Sequence, residues 1–176
     1  MVTIRLTTWV NAPVERCFKL ATSAEFNSAA GSIGTHARGL DELQVGDTLV
    51  WHSWRWGLRL SHTSRIDQLR PVTYFREVMV EGGFRKYDHE HHFAPMDDGT
   101  RMRDEVHFVA PMGPVGAVME RVLLRKYVMR LLAERHSRLK RIAESSEWRK
   151  YLHDEPREIP TPIEQRPKIT KMQRFA

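Results

Sequence analysis

Residues 84–110, FRKYDHEHHFAPMDDGTRMRDEVHFVA, contain the pattern that decides the fold. Apolar or ring-bearing side chains alternate with charged ones on both sides of Asp97-Asp98-Gly99, and successive side chains of a β-strand lie on opposite faces. A link this short joins antiparallel neighbours, because a parallel crossover needs about a dozen residues or more. The stretch therefore predicts an antiparallel hairpin with strands Phe84–Ala94 and Thr100–Ala110.

The same period of two continues upstream as far as Gly46. It predicts three further strands, Asp47–Trp56, Leu58–Leu69 and Thr73–Glu81, which end at Gly57, at Arg70-Pro71 and at Gly82-Gly83. These short links again require antiparallel neighbours, so residues 46–110 are expected to form a five-stranded meander. Residues 34–40 add one further predicted strand.

A strand and two short helices precede this meander. Thr3–Val10 alternates and is rich in β-branched residues, which predicts a strand. Pro13 suits the first turn of a helix, and an apolar face follows it at helical spacing, formed by Val14, Cys17, Phe18 and Ala21. Residues 22–25 have the spacing of a capping box and predict a second short helix towards Ala30.

The longest helix is predicted over about residues 114–145, where apolar side chains share one broad sector of the helical wheel. Such an amphipathic helix needs a sheet to cover. Beyond Ser146 the periodicity is lost and prolines stand among charges. We therefore predict one folded domain over residues 1–146, followed by an extended or disordered, proline-containing basic tail over residues 147–176.

The order of elements predicts an α+β fold in which a curved antiparallel sheet wraps around the long C-terminal helix. Within it, residues 11–18, 45–51, 82–93, 99–106 and 110–116 are similar to the corresponding segments of a known family. The chain resembles the helix-grip superfamily (SRPBCC), which includes START lipid-binding domains, the birch-pollen-allergen fold and polyketide cyclases. More narrowly, it resembles bacterial stand-alone members labelled cell division inhibitor or cyclase/dehydrase. The resemblance implies a hollow between sheet and helix.

One face of the predicted hairpin carries the candidate site. Tyr87, His89, His91 and Phe93 share a face of one strand, and Met102, Asp104, Val106 and Phe108 share a face of the next. A loop of two or four residues places His91 opposite Asp104 or Val106. His91 and Asp104 are therefore the catalytic candidates, through an imidazole oriented for proton transfer. Anchoring of a ligand by hydrogen bonds and a purely structural His–Asp pair are the alternatives.

The expected ligand-binding residues are those that face the hollow. They are Trp54, His62, Tyr87, His89, His91, Phe93, Asp104, Val106, Phe108 and Met129. His89 and His91 point the same way on their strand, and Asp104 or His62 would complete a metal site. Spacing alone is weak support for such a site, so we predict no metal and no cofactor.

The formal charge of +6 is concentrated at the C-terminal end. Residues 1–112 carry 13 basic and 14 acidic side chains, whereas residues 113–145 carry 8 and 3. Because the basic residues are spread around the last helix, they favour an acidic partner or an anionic lipid surface over specific nucleic-acid binding. The single cysteine, Cys17, and the lack of a long apolar run indicate a cytoplasmic protein.

The function expected from these features is binding of a small hydrophobic molecule between the sheet and the C-terminal helix. An enzyme is the alternative, with a cofactor-independent reaction of the cyclase/dehydratase type in which the His and Asp side chains of the hollow transfer protons. An interaction protein that uses the basic helix face and the tail is the second alternative.

Overall fold

A computed structural model of the protein describes residues 1–29, 32–35, 43–55, 58–110 and 123–152, with side chains for residues 1–27, 43–50, 61–110 and 123–152. The elements are β1 (Val2–Val10), α1 (Val14–Thr22), α2 (Ala24–Ala29), β2 (Ser32–Thr35), β3 (Thr48–Arg55), β4 (Leu58–Arg70), β5 (Tyr74–Glu81), β6 (Lys86–Met96), β7 (Gly99–Val109) and α3 (Arg125–Glu144). A short 3-10 helix, Ser146–Lys150, follows α3. None of the helices in these ranges is long and apolar enough to cross a membrane.

The seven strands form one antiparallel sheet in the order β1-β7-β6-β5-β4-β3-β2. The predicted α+β fold, with its strand, two short helices, meander and long C-terminal helix, is confirmed. The additional strand expected over residues 34–40 is present at Ser32–Thr35, and residues 36–40 lie outside the described residues.

The hairpin of β6 and β7 has a two-residue loop, because Met96 pairs with Gly99. Gly99 has a φ of 150°, and a Cβ at this position would lie 2.2 Å from the Val10 carbonyl oxygen, so only glycine fits there. This loop length places His91 directly opposite Asp104, one of the two expected registers.

Helix α3 packs against β1 and α1. Its inward face is formed by Val128, Leu132, His136, Leu139, Ile142 and Ala143. This is the amphipathic helix that the sequence predicts, and the part expected from residue 114 onward to residue 122 lies outside the described residues.

The chain continues to pack on the domain after α3. Trp148 is 4.5 Å from the guanidinium of Arg16, and the Tyr151 ring lies edge-on to Phe26 at 5.9 Å. The Ser23 hydroxyl donates a hydrogen bond to the carbonyl oxygen of Tyr151. Residues 146–152 thus cover α1 and α2, so the predicted boundary at residue 146 falls within a packed segment. Residues 153–176 of the predicted tail lie outside the described residues.

Candidate functional site

Two apolar clusters fill the interior between sheet and helices, and a band of ionisable side chains separates them. The first, which we call the α1 cluster, includes Phe18, Phe75, Phe93, Met102 and Leu139. The second, the β1 cluster, is formed by Ile4, Val106, Phe108, Val128 and Leu132. Glu77, His89, His91, Asp104 and His136 lie between them, and each is at most 6% exposed. We call these five residues the polar layer.

The polar layer follows from the order of residues within β6, β7 and α3. On β6, His89 and His91 lie between Tyr87 of one cluster and Phe93 of the other. On β7, Asp104 lies between Met102 and Val106. On α3, His136 follows Leu132 by four residues and precedes Leu139 by three, and both spacings keep it on the inner face.

Asp104 is the centre of this layer. Its Oδ2 is 2.9 Å from His89 Nε2, and its Oδ1 is 3.1 Å from His91 Nδ1. His136 Nε2 approaches Oδ2 from the helix at 3.2 Å. An ionised carboxylate only accepts hydrogen bonds, so His89 donates from Nε2 and His91 from Nδ1. One buried carboxylate thus orients imidazoles from the sheet and the helix.

Glu77 of β5 lies on the other side of His91. Its Oε1 is 3.3 Å from His91 Nε2, and its Oε2 accepts a hydrogen bond of 2.8 Å from the Ser64 hydroxyl of β4. The register of β5 with β6 accounts for this proximity, since Glu77 pairs with His89 and Phe75 with His91. His91 is therefore held between two buried carboxylates, both at most 2% exposed.

Aromatic rings enclose the histidines. The His91 ring stacks on Phe75 with centroids 4.1 Å apart, and the His89 and His91 rings are 3.8 Å apart. His62 of β4 lies edge-on to Tyr87 at 4.8 Å. On the helix side, His136 Nδ1 shares a hydrogen bond of 2.8 Å with the Thr8 hydroxyl of β1. The site thus draws on β1, β4, β5, β6, β7 and α3.

The charged forms of both carboxylates are favoured despite burial. Burial disfavours ionised Glu77, but the close contact with His91 and its positive charge outweigh burial and lower the pKa of Glu77 to about 2. Burial likewise opposes ionised Asp104, and the charges of His91 and His89 bring its pKa well below its usual range. Both carboxylates are therefore ionised at neutral pH.

The two histidines of β6 are shifted in opposite directions. Burial and the neighbouring charge of His91 lower the pKa of His89 to about 4. Burial also disfavours the charged form of His91, but Asp104 and Glu77 together raise its pKa. The pKa values of two adjacent imidazoles are therefore shifted apart, because burial dominates at His89 whereas the neighbouring carboxylates outweigh it at His91.

Several buried polar atoms of this region make no hydrogen bond of regular geometry within the described part of the chain. They are Glu77 Oε1, His91 Nε2, His136 Nε2 and His62 Nδ1. Buried polar atoms are nearly always paired in native proteins, and each exception calls for a physical reason. Glu77, His89 and His91 also offer one donor atom each within 4.8 Å of one another.

The structure brings together three of the expected site residues, His89, His91 and Asp104. Tyr87 and His62 lie beside them. The remaining apolar candidates belong to the flanking clusters, Phe93 to the α1 cluster and Val106, Phe108 and Met129 to the β1 cluster. Trp54 is part of β3, but its side chain lies outside the described residues.

Sequence reasoning missed Glu77, His136, Ser64 and Thr8. A signal for His136 was present, since it interrupts the apolar stripe of α3 between Leu132 and Leu139. Glu77 carried a weaker signal, because neither face of residues 74–81 is consistently apolar. Its position becomes visible only when β5 is paired with β6.

The basic residues of α3 are largely matched by partners from the domain itself. Arg130 pairs with Glu134, Lys140 with Glu144 and Arg141 with Glu147. Arg138 covers the ring of Phe26 at 4.6 Å, and Arg135 donates to the carbonyl oxygen of Ala21. Surface pairs of this kind contribute little to stability. Because Glu134 and Glu144 belong to α3 itself, only the pair with Glu147 offsets the charge excess of this helix.

Comparison with protein-family models finds no match, and neither does comparison with curated proteins. Solved structures are similar over most of the chain. A START superfamily protein from Mycobacterium smegmatis matches with a TM-score of 0.62 and 14% identity, covering 80% of this chain and 98% of that one. TTHA0849 from Thermus thermophilus has a TM-score of 0.60 and 18% identity, with coverages of 78% and 97%. CV1439 from Chromobacterium violaceum has a TM-score of 0.59 and 16% identity, with coverages of 81% and 97%.

At these identities the comparisons establish the fold alone. The curved antiparallel sheet, the two short helices after β1 and the long C-terminal helix are the elements expected from the resemblance noted above. This chain has a START-like helix-grip fold.

Proposed function

We propose that the protein binds a small, largely apolar molecule between the sheet and α3, and that the polar layer holds a polar group of that molecule. The observation that carries this proposal is a set of buried polar atoms in one layer, Glu77 Oε1, His91 Nε2 and His136 Nε2, that make no hydrogen bond of regular geometry within the described residues. The START-like fold commonly binds hydrophobic ligands, which supports the same conclusion.

The polar group and the apolar body of such a ligand would both contribute to its binding free energy. A buried polar atom without a hydrogen bond costs about 1–3 kcal/mol. A ligand hydroxyl or carbonyl that meets these atoms with better geometry than their present contacts regains part of that energy. Apolar surface buried against the flanking clusters contributes about 25 cal/mol per Å² before the costs of association. The two apolar clusters and the polar layer thus suit a molecule with an apolar body and few polar groups.

Within this proposal the residues of the polar layer have different roles. Glu77 Oε1 accepts a hydrogen bond from the ligand, and Asp104 positions His89 and His91. The apolar body contacts the side chains that the sequence assigned to the hollow, among them Phe93, Phe108 and Met129. Cys17 is buried and unpaired, which suits a reducing compartment, and we place the protein in the cytoplasm on that ground.

A proton-transfer enzyme of the cyclase/dehydratase type is the second candidate. The observation that favours it is His91, whose imidazole contacts Asp104 through one nitrogen and approaches Glu77 through the other. An imidazole held in this way is oriented for general acid–base catalysis on a bound substrate. Turnover of the bound molecule that His91→Gln abolishes, with binding retained, would favour this candidate over simple binding.

The test begins with native mass spectrometry of the chain purified from its own host, which should show a co-purifying small molecule. The fluorescent probe 1-anilinonaphthalene-8-sulfonate should bind saturably in the presence of EDTA, and the co-purified molecule should displace it. Glu77→Gln should weaken binding of that molecule about tenfold, the effect of one buried hydrogen bond.

Glu105→Gln is the matched control, because Glu105 lies on the outer face of β7 and pairs with Arg5. It should leave the affinities for the fluorescent probe and for the co-purified molecule unchanged. The proposal is overturned if neither a mass adduct nor saturable probe binding is found. It is also overturned if Glu77→Gln and Glu105→Gln bind the co-purified molecule as the unaltered chain does.

An acidic partner or anionic lipid surface at α3 remains a separate prediction. Exposed Arg125 and Lys126 at the start of the helix are the residues it would use. Sedimentation with phosphatidylserine vesicles tests it, and Arg125→Gln with Lys126→Gln should reduce binding if the prediction holds.

A further inference from the structure

We propose that Glu77, His89 and His91 bind a divalent zinc-type metal ion inside the fold. The proposal goes beyond the function proposed above, since it needs no organic ligand. It depends on the donor atoms that three strand residues present to one another, and on the side chains that orient them.

The first observation is the donor set itself. The three side chains come from adjacent strands, and one donor atom from each lies within 4.8 Å of the others. Two imidazoles and a carboxylate are ligands that Zn²⁺ accepts, and three protein ligands with one open position are typical of catalytic zinc sites.

The second observation is the separation of Glu77 and His91. Their atoms Oε1 and Nε2 are 3.3 Å apart, yet both lack a hydrogen bond of regular geometry within the described residues. Two ligands at about 2.0–2.2 Å from a tetrahedral ion lie about 3.3–3.5 Å apart. The spacing therefore suits two atoms that share an ion, which would replace the proton now held between them.

The third observation is the support behind the donors. Asp104 accepts a hydrogen bond from His89 Nε2 and contacts His91 Nδ1 at 3.1 Å, so the second nitrogen of each ring is the one that can bind a metal once it carries no proton. Ser64 engages Glu77 Oε2 and leaves Oε1 available. A carboxylate that orients metal-binding imidazoles from behind is the usual arrangement around such ions.

The arrangement also explains why the sequence suggested no metal. The pair His89 and His91 was visible on one strand, but the proposed third ligand comes from β5, twelve residues earlier. Asp104, which the sequence offered as a ligand, instead binds both rings from behind. Its role in this site is that of a positioning residue.

The experiment uses the full, untagged chain after dialysis against EDTA, because a histidine tag would itself bind zinc. Isothermal titration with ZnCl₂ should give one saturable site per chain. The Co²⁺ form should show the intense visible absorption of a four-coordinate ion with nitrogen and oxygen ligands. Glu77→Gln and His91→Gln should each weaken zinc binding more than about 100-fold, and Asp104→Asn about 10–100-fold.

His92→Gln is the matched control, since His92 lies on the same strand but on the outer face, 3.3 Å from Glu90. Its zinc affinity should equal that of the unaltered chain.

Circular dichroism verifies that each variant folds, and the Co²⁺ spectrum of the unaltered chain tests the site without any substitution. The proposal is overturned by the absence of saturable binding, by a six-coordinate Co²⁺ spectrum, or by equal zinc affinity of folded Glu77→Gln, His91→Gln and the unaltered chain. Loss of the site in His92→Gln would also overturn it, because the ion would then lie on the outer surface.

Discussion

Asp104 and Glu105 are neighbours on β7 but lie in opposite environments. Asp104 faces inward and contacts His89, His91 and His136. Glu105 faces outward, where Arg5 binds it at 2.7 Å and Arg103 also pairs with it. Hydrogen bonding to Arg5, opposed by partial burial, lowers the pKa of Glu105 to about 2. Both carboxylates are therefore ionised at neutral pH, one inside the fold and one on the outer face of the sheet, where Arg5 and Arg103 cover it.

The difference between the two carboxylates lies in their partners. A guanidinium is charged at any ordinary pH and remains partly hydrated, as the 62% exposure of the Arg5 side chain shows. Imidazoles offer nitrogen lone pairs as well as protons, and at the polar layer they are out of water. An outer pair of this kind is replaceable at little cost, whereas the inner network depends on every member, because any charge left unpaired there has no water to solvate it.

The largest expected effect comes from Asp104→Asn. The substitution removes the negative charge and replaces one accepting oxygen by an NH2 donor that faces imidazole nitrogens, so the free energy of unfolding should fall by about 3–5 kcal/mol. Urea unfolding followed by tryptophan fluorescence, with EDTA present to remove metal, measures it. A loss below about 1 kcal/mol would contradict the distinction between the inner and outer carboxylates.

Ser64→Ala should have the second largest effect. The substitution removes the fully buried hydroxyl that donates to Glu77 Oε2 at 2.8 Å, and an ionised acceptor left short of a donor costs about 1–3 kcal/mol. Thr73→Ala is the control, since its hydroxyl is exposed and bonds only the carbonyl oxygen of Arg70 in the described structure. The control should change stability by less than about 0.5 kcal/mol, and equal effects of the two variants would argue against the polar layer.

Thr8→Val tests the helix side of the layer. The hydroxyl of Thr8 is 2.8 Å from His136 Nδ1, and the valine retains the shape while removing that bond, so about 1 kcal/mol of stability should be lost. The NMR signals of the His136 ring should shift as well, because Thr8 no longer restrains its tautomer. Unchanged ring signals would show that Thr8 does not orient this imidazole.

Glu105→Gln is the matched change on the outer face and should cost less than about 1 kcal/mol at pH 7. Because the pKa of Glu105 falls from 4.5 unfolded to about 2 folded, its contribution is complete above about pH 4.5 and is lost as the pH falls through 2. The stability difference from the unaltered chain should therefore shrink between pH 5 and pH 2, and 1 M NaCl should reduce it at pH 7. A difference that grows on acidification would contradict this sign.

Much of the fold could be predicted from local pattern alone. The alternation in residues 84–110 and the tight turn at Asp97-Asp98 specified the hairpin, and the turn length limited His91 to two opposite residues. The apolar stripe of α3 was likewise visible, since it depends on a helical period that any stretch of chain displays.

The site was only half predictable. Both faces of β5 mix apolar and charged residues, Phe75 with Glu77 on one and Arg76 with Val78 on the other, so alternation does not say which face is buried. The pairing of Glu77 with His89 settles this. Placing His136 in the site depends on where α3 lies along the sheet. That position follows from the packing of the helix against β1 and α1, and not from the helix itself.

By itself, the sequence determined the strands, the long amphipathic helix and the face shared by His89 and His91. It also limited the residue opposite His91 in the hairpin to Asp104 or Val106. Those properties depend on neighbours within a few residues, for which backbone periodicity and turn length are sufficient. Only the tertiary structure decided that Glu77, His91, Asp104 and His136 share one buried layer, because residues up to 59 positions apart meet there. Their meeting depends on the packing of whole elements, in which the two apolar clusters exclude water and the ionisable side chains pair with one another and with Ser64 and Thr8.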